Sequence, residues 1–212
     1  MLKMEKLYEM MTMNKKERTL QEILRAAKAI VHADGHESVT VRHLAAQTGL
    51  AYTSLYYYFK DLNALLWTLR LEMIEDMVSE LTAVDLVHKN PVEELLARLS
   101  QYSAYFFQHP NVFRFFYFCQ FVQPEGDDRY QRMQAQMGEI WQRSFARLIH
   151  SGQVLPQDID FLARAIIYAM QGMITLSFSA NGLMTQETVQ SELDRLVHYL
   201  IQNEHLAPVG GQ

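Results

Sequence analysis

Apolar residues recur every three or four positions along this chain and nowhere alternate with period two, so the pattern predicts helices and no strands. Leu20, Ile23, Leu24, Ala27, Ile30 and Val31 form a first amphipathic stripe, and Gly35 stands where a helix C-cap belongs. Thr40 precedes Val41, Leu44 and Ala45, where its hydroxyl would accept a hydrogen bond from a free first-turn N–H; a short second helix follows, to about Gln47. Gly49 breaks the run, and Leu55, Tyr56 and Phe59 mark a short third helix. Asp61 is placed to cap a long fourth helix with Leu65, Leu66, Leu69, Met73, Ile74 and Met77 on its apolar positions.

The rest of the chain repeats this grammar. Asn90-Pro91 is an N-cap and first-position pair for a helix running to Gln108, which His109-Pro110 ends. Another is expected from Val112 to about Val122, then a loop over Gln123–Asp128. Met133, Met137, Ile140, Trp141, Phe145 and Leu148 mark a seventh helix that ends before Gly152. The eighth spans roughly Gln157 to Ala180, Asn181-Gly182 interrupts, and Val189, Leu193, Leu196, Val197, Leu200 and Ile201 form the stripe of a ninth. The expected fold is all-α with about nine helices: an N-terminal three-helix helix-turn-helix head and a helical-bundle body. Residues 1–16 read as an N-terminal extension, 17–68 as the head, 69–205 as the body for effector binding and dimerisation, and 206–212 as a flexible tail.

Composition narrows the classes. With 49% hydrophobic and 20% charged residues in 212, the chain buries a real core and is not disordered as a whole. The net charge of −5 argues against a protein that coats nucleic acid, but it is unevenly spread. Residues 1–70 hold ten Lys/Arg against seven Asp/Glu, and residues 71–212 hold nine against seventeen, so a basic head sits beside an acidic body. The single cysteine, Cys119, reads as a small core residue and suits a reducing, cytoplasmic location. No secretion signal is legible, and the most apolar run, Ile166–Leu176, is interrupted by Gln171 and shorter than the ~20 residues a membrane span needs. Enzyme readings find no phosphate loop, dinucleotide fingerprint or cysteine–histidine signature. His32 and His36 are four apart, but Gly35 ends the helix between them, so neither a metal nor a cofactor is expected.

Two short helices across a glycine turn, braced by a preceding helix, present the second to a DNA major groove. With Leu55 and Phe59 inward, Tyr52, Thr53, Tyr56 and Lys60 point outward as donors for phosphates and base edges, while Tyr57 is the tyrosine expected in the core. Asn14-Lys-Lys-Glu-Arg18 reads either as a basic arm on the DNA backbone or as a solvated helix start. Ile23-Leu-x-Ala-Ala27, Gly35, Val39-Thr-Val-Arg42, Leu44-Ala45, Thr48-Gly49-Leu50 and Leu55-Tyr-Tyr-Tyr-Phe59, in this order and spacing, resemble the N-terminal signature of tetracycline-repressor (TetR) type regulators. The resemblance covers about residues 17–68. It implies Arg42 with Thr53 or Tyr52 near bases, and Thr40, Tyr56, Tyr58 and Lys60 on phosphates. Tyr58 stands where the family most often has His, and Leu62 where it commonly has Lys, a contact that Lys60 is placed to replace.

In the body, ten aromatic residues crowd the twenty positions from Tyr102 to Phe121, too many for one side of two helices. The resemblance implies an effector pocket among the body helices, with Phe106, Phe116, Met133, Met137, Trp141 and Tyr168 as candidate lining for an apolar or aromatic ligand. The eighth helix is apolar on more than one stripe, and the resemblance implies a homodimer through it and the ninth. Candidate interface residues are Ile166, Met170, Gly172, Met173, Ile174, Val197 and Leu200. A twofold pair of heads would match a palindromic operator. The expected function is a non-enzymatic, ligand-responsive regulator, a repressor releasing its operator when an effector binds. The alternative is a DNA-bound structural or division-control factor whose body docks another protein.

Overall fold

The computed structural model describes residues 14–84, 90–179 and 182–202. Among these are nine α-helices, one turn of 3₁₀ helix and no strand. The expected tail at 206–212, most of the expected N-terminal extension and Asn181 lie outside the described residues.

Helix α1 (Lys15–Asp34) starts at a capping box: the Glu17 N–H donates to Asn14 Oδ1 (3.0 Å) and the Asn14 N–H to the Glu17 carboxylate (2.9 Å). Ile23, Leu24, Ala27, Ile30 and Val31 are its buried face. Gly35 takes φ +83°, a conformation that favours glycine, and its N–H caps the Val31 carbonyl. After the 3₁₀ turn His36–Ser38, Thr40 Oγ1 accepts from the His43 N–H (3.1 Å) at the start of α2 (Val41–Thr48). Gly49, at φ +70°, turns the chain into α3 (Tyr52–Tyr58). Asp61 accepts from the Ala64 N–H (2.8 Å) at the head of α4 (Leu62–Ala83). Next come α5 (Pro91–Gln108), capped by Asn90, and α6 (Pro110–Tyr117). The last three are α7 (Arg129–His150), α8 (Ile159–Ser177) and α9 (Gln186–Gln202).

The chain divides into two compact units, with α4 and α7 running through the division. The first comprises the residues up to Asp76 with Asn111–Tyr130. Here α1 is tied to α4 by the Lys28–Asp76 ion pair and by Gln21 donating to Glu72 (3.1 Å); burial pushes the Glu72 carboxyl above its usual value. The 111–130 segment laces on through side chains. Asn111 Nδ2 donates to the last carbonyls of α1, those of His32 (3.1 Å) and Ala33 (3.3 Å). Asn63 bonds the Val122 backbone in both directions, at 2.9 and 3.1 Å. Helix α6 stops at Tyr117 instead of reaching Val122, whose N–H and C=O are satisfied by Asn63 in place of helical partners. Cys119, expected in the core, is only half-buried.

The second unit holds the remainder of α4, α5, the rest of α7, α8 and α9. Leu95, Leu99, Phe106, Leu148, Ile166, Met170, Ile174, Val189, Leu193 and Val197 form its sealed interior. Gln171, the polar break in the apolar run, donates to the Tyr102 hydroxyl (2.9 Å), which accounts for an amide at that position. The buried Glu94 carboxylate pairs with Arg147. Helix α8, nineteen residues long, is by length and composition apolar enough to cross a membrane, and 22% of its most apolar window is buried.

Candidate nucleic-acid interface and body surfaces

The head surface follows from how α3 is seated. Leu55 is buried and Phe59 nearly so, which turns positions 52, 53, 56 and 57 to solvent. Tyr56 is 58% and Tyr57 69% exposed, and Tyr52, Thr53 and Lys60 are exposed too. Tyr57, expected inward, instead lies outside, with its ring edge-on to Tyr58 (5.2 Å) and Lys16 Nζ over it at 5.1 Å. Tyr58 is half-buried. Arg42 is exposed on the first turn of α2. Thr40 is exposed, and because its oxygen accepts the helix cap, its own O–H remains a donor toward solvent. Leu62, where the resemblance leads one to expect lysine, is the first residue of α4, with Leu65, Leu44, Leu55 and Phe59 around a small crevice. Lys16, for which the pattern leaves both arm and helix start open, belongs to the first turn of α1.

The six body residues expected around a ligand do not form one group. Phe116 lies in the first unit, buried against Phe115. In the second unit, Phe106 and Trp141 both stand edge-on to the buried Tyr102 ring, at 5.0 and 5.4 Å; Phe106 and Met133 are buried and Met137 is half-buried. Tyr168 is 68% exposed, so it faces outward from α8 instead of lining an interior. An open cleft of about 280 Å³ lies between α5 and α9, lined by Leu96, Ala97, Ser100, Gln190, Leu193 and Asp194, none of them among the six.

Burial also redistributes the seven residues expected between two copies. Ile166, Met170, Ile174 and Val197 are sealed inside their own protomer, because they are the face of α8 and α9 that packs on α5; Met173 and Leu200 are half-buried and Gly172 is exposed. The uncovered stripe of α8 is instead Phe161 (70% exposed), Tyr168, Gly172 and Leu176, four to seven residues apart, and α9 adds Tyr199 (62%). Sequence alone offered one signal for this: α8 is apolar around more than one side, which leaves open which side its own chain covers.

Residues 23–66 match the model of bacterial regulatory proteins of the tetR family. No curated protein sequence matches the chain. Among solved structures, PfmR, a TetR family transcriptional regulator from Thermus thermophilus, is 21% identical; 83% of this chain and 97% of that one superpose at a TM-score of 0.59. FadR, a transcriptional regulator from Bacillus subtilis in complex with stearoyl-CoA, is 15% identical over 87% of this chain and 98% of that one (TM-score 0.62). RolR in complex with resorcinol is 16% identical over 93% and 97% (TM-score 0.60). These likenesses are of fold, and residues 23–66 of this chain resemble the bacterial regulatory proteins of the tetR family.

Proposed function

We propose that the chain is a ligand-responsive repressor that binds a palindromic operator as a homodimer and releases it when a small apolar or aromatic effector enters the body. The observation that carries DNA reading is the outward face of α3, where three tyrosines and Thr53 stand in water over a buried Leu55. Leaving that much aromatic surface wet is unfavourable unless a partner covers it. Arg42, Thr53 and Tyr52 have the donors to read base edges, and Thr40, Tyr56, Tyr58 and Lys60 those to hold phosphates. Two copies paired through the bared stripe of α8 with Tyr199 of α9 would carry two heads, one for each half-site of a palindrome. Asp160 and Arg164, exposed on the same helix, supply a polar rim that suits a second copy better than lipid. The ligand reading rests on the aromatic and methionine grouping of Tyr102, Phe106, Met133, Met137 and Trp141, together with solved relatives that hold an acyl-CoA and a phenol.

Selection of bound duplexes from a random pool tests the reading. The expected product is a palindrome. On it, Thr53→Ala should cost about 1–3 kcal/mol and relax preference at one base pair. Lys60→Ala should weaken all duplexes alike and lower the slope of log affinity against log salt by about one per contact. An unenriched pool, or Arg42→Ala, Thr53→Ala and Lys60→Ala all binding as the parent does, would remove the head from DNA reading. Enrichment of many unrelated sites would favour the structural, division-control alternative.

A further inference from the structure

Arg70 is a cation met by rings and neutral oxygens, with its Nε–H left unused. It sits on α4 one turn after Trp67, with its guanidinium carbon over the rings of Phe121 (4.6 Å) and Tyr130 (4.9 Å). Nη2 donates to the Phe116 carbonyl at 3.3 Å and to the Tyr130 hydroxyl at 3.4 Å, both long for hydrogen bonds to a charged donor. Its Nε–H is buried and meets no acceptor. Among the described residues no carboxylate pairs with it. The acidic side chain of this cluster, Asp127, is occupied: Arg129 holds it through Nε (3.0 Å) and Nη2 (2.7 Å), and the Trp67 indole N–H donates to it at 2.9 Å. Those bonds, the one from Arg129 foremost, keep its carboxyl well below the usual range. Cys119 feels the positive charge, but burial pushes its thiol up, so it brings no anion. Glu72, two residues further along α4, is bonded by Gln21.

A guanidinium in a partly desolvated, aromatic setting, with a donor unused and two others stretched, lacks the partner that such a group ordinarily has. We propose that Arg70 is the receptor for an anionic group of a small ligand, a carboxylate or a phosphate, held in the first unit beside Phe121 and Tyr130. The anion accepts from the unused Nε–H and from Nη2, where it displaces one of the two long bonds, along the edge of the fork that fits two oxygens at once. The aromatic rings give the ligand's body a surface, which favours an aromatic acid over a bare anion. The site uses none of the residues grouped around Tyr102, and it requires nothing of the DNA reading. Trp67 and Asn63 precede Arg70 by one and two turns of α4 and bond the same 111–130 segment, so occupancy there is felt where that segment is fastened.

The chain has two tryptophans, so Trp141→Phe leaves Trp67 as the reporter. Benzoate, acetate and inorganic phosphate are titrated into the full chain while Trp67 emission is followed. The expected result is a saturable change with benzoate at about millimolar concentration or below. Weaker acetate binding assigns a contribution to the rings, and tighter phosphate binding assigns the site to a phosphoryl ligand. Arg70→Gln should weaken the effective probe by about tenfold or more. If that chain does not fold by circular dichroism, Arg70→Lys decides, since it keeps the charge and loses the fork: about tenfold weaker binding is expected, and equal affinity overturns the proposal. No saturable response to any of the three probes overturns it as well. Neither outcome touches DNA binding, and failure of the operator experiment leaves this one standing.

Discussion

Two substitutions on one helix, three turns or so apart, should have opposite consequences. Phe161 is 70% exposed on α8, while Ile174, on the same helix, is wholly buried. Moving a phenylalanine side chain from water into a well-packed contact is worth about 2 kcal/mol, and in the proposed homodimer a twofold axis repeats each contact. Phe161→Ala therefore removes about 4 kcal/mol from the pair, roughly a thousandfold in Kd, and Tyr168→Ala should act similarly. Costs of association reduce what is measured, so the ratio between variants is the better guide. Folding is not at stake, since neither side chain belongs to the protomer core. Ile174→Glu is different. It deletes a buried apolar side chain and leaves a carboxyl without a partner, together about 5 kcal/mol, which approaches the total stability of a domain. Light scattering over a concentration series gives the mass, and circular dichroism with thermal unfolding gives the fold. Phe161→Ala with Tyr168→Ala should yield a folded monomer, and Ile174→Glu an unfolded or aggregated chain. A double variant that remains a dimer at the parent's affinity, or an Ile174→Glu chain with unchanged Tm, would refute the division of α8 into covered and bared sides.

Thr40→Ala should cost about 1 kcal/mol of stability by leaving the His43 N–H uncapped, and Thr40→Ser should restore it; equal Tm for parent and Ala variant would deny the cap. Glu72 makes stability pH-dependent in a stated direction: its raised folded pKa means the native state holds the proton more tightly, so stability is lost as pH rises from the ordinary carboxylate range through the folded value. Glu72→Gln should thus gain over the parent as pH rises above the ordinary carboxylate range and match its pH dependence below that range; a constant difference in Tm would contradict it. Asn63→Ala should destabilise the first unit by about 1 kcal/mol, because it takes both side-chain partners from the exposed Val122 backbone, and the loss should show as faster amide exchange around residue 122.

Local chemistry was sufficient for the helices and their ends. Gly35, Gly49, Thr40, Asp61 and Asn90-Pro91 act on backbone groups within a few residues, so each could be read in place, and the head signature rests on the same short-range marks. The end of α6 could not be read this way, because Asn63 competes for Val122 from 59 positions away. Tyr57 escaped for a related reason: three consecutive tyrosines in a seven-residue helix give no periodicity to say which faces in, and only the seating of Leu55 and Phe59 decides. The unused Nε–H of Arg70 is likewise invisible in sequence, where an arginine among leucines on α4 is an ordinary solvated position. Helix α8 shows the limit most plainly. Its composition announces that more than one side must be covered, but hydrophobicity is non-directional, and only packing against α5 and α9 determined that Ile166, Met170 and Ile174 belong to the protomer while Phe161 and Tyr168 are left bare.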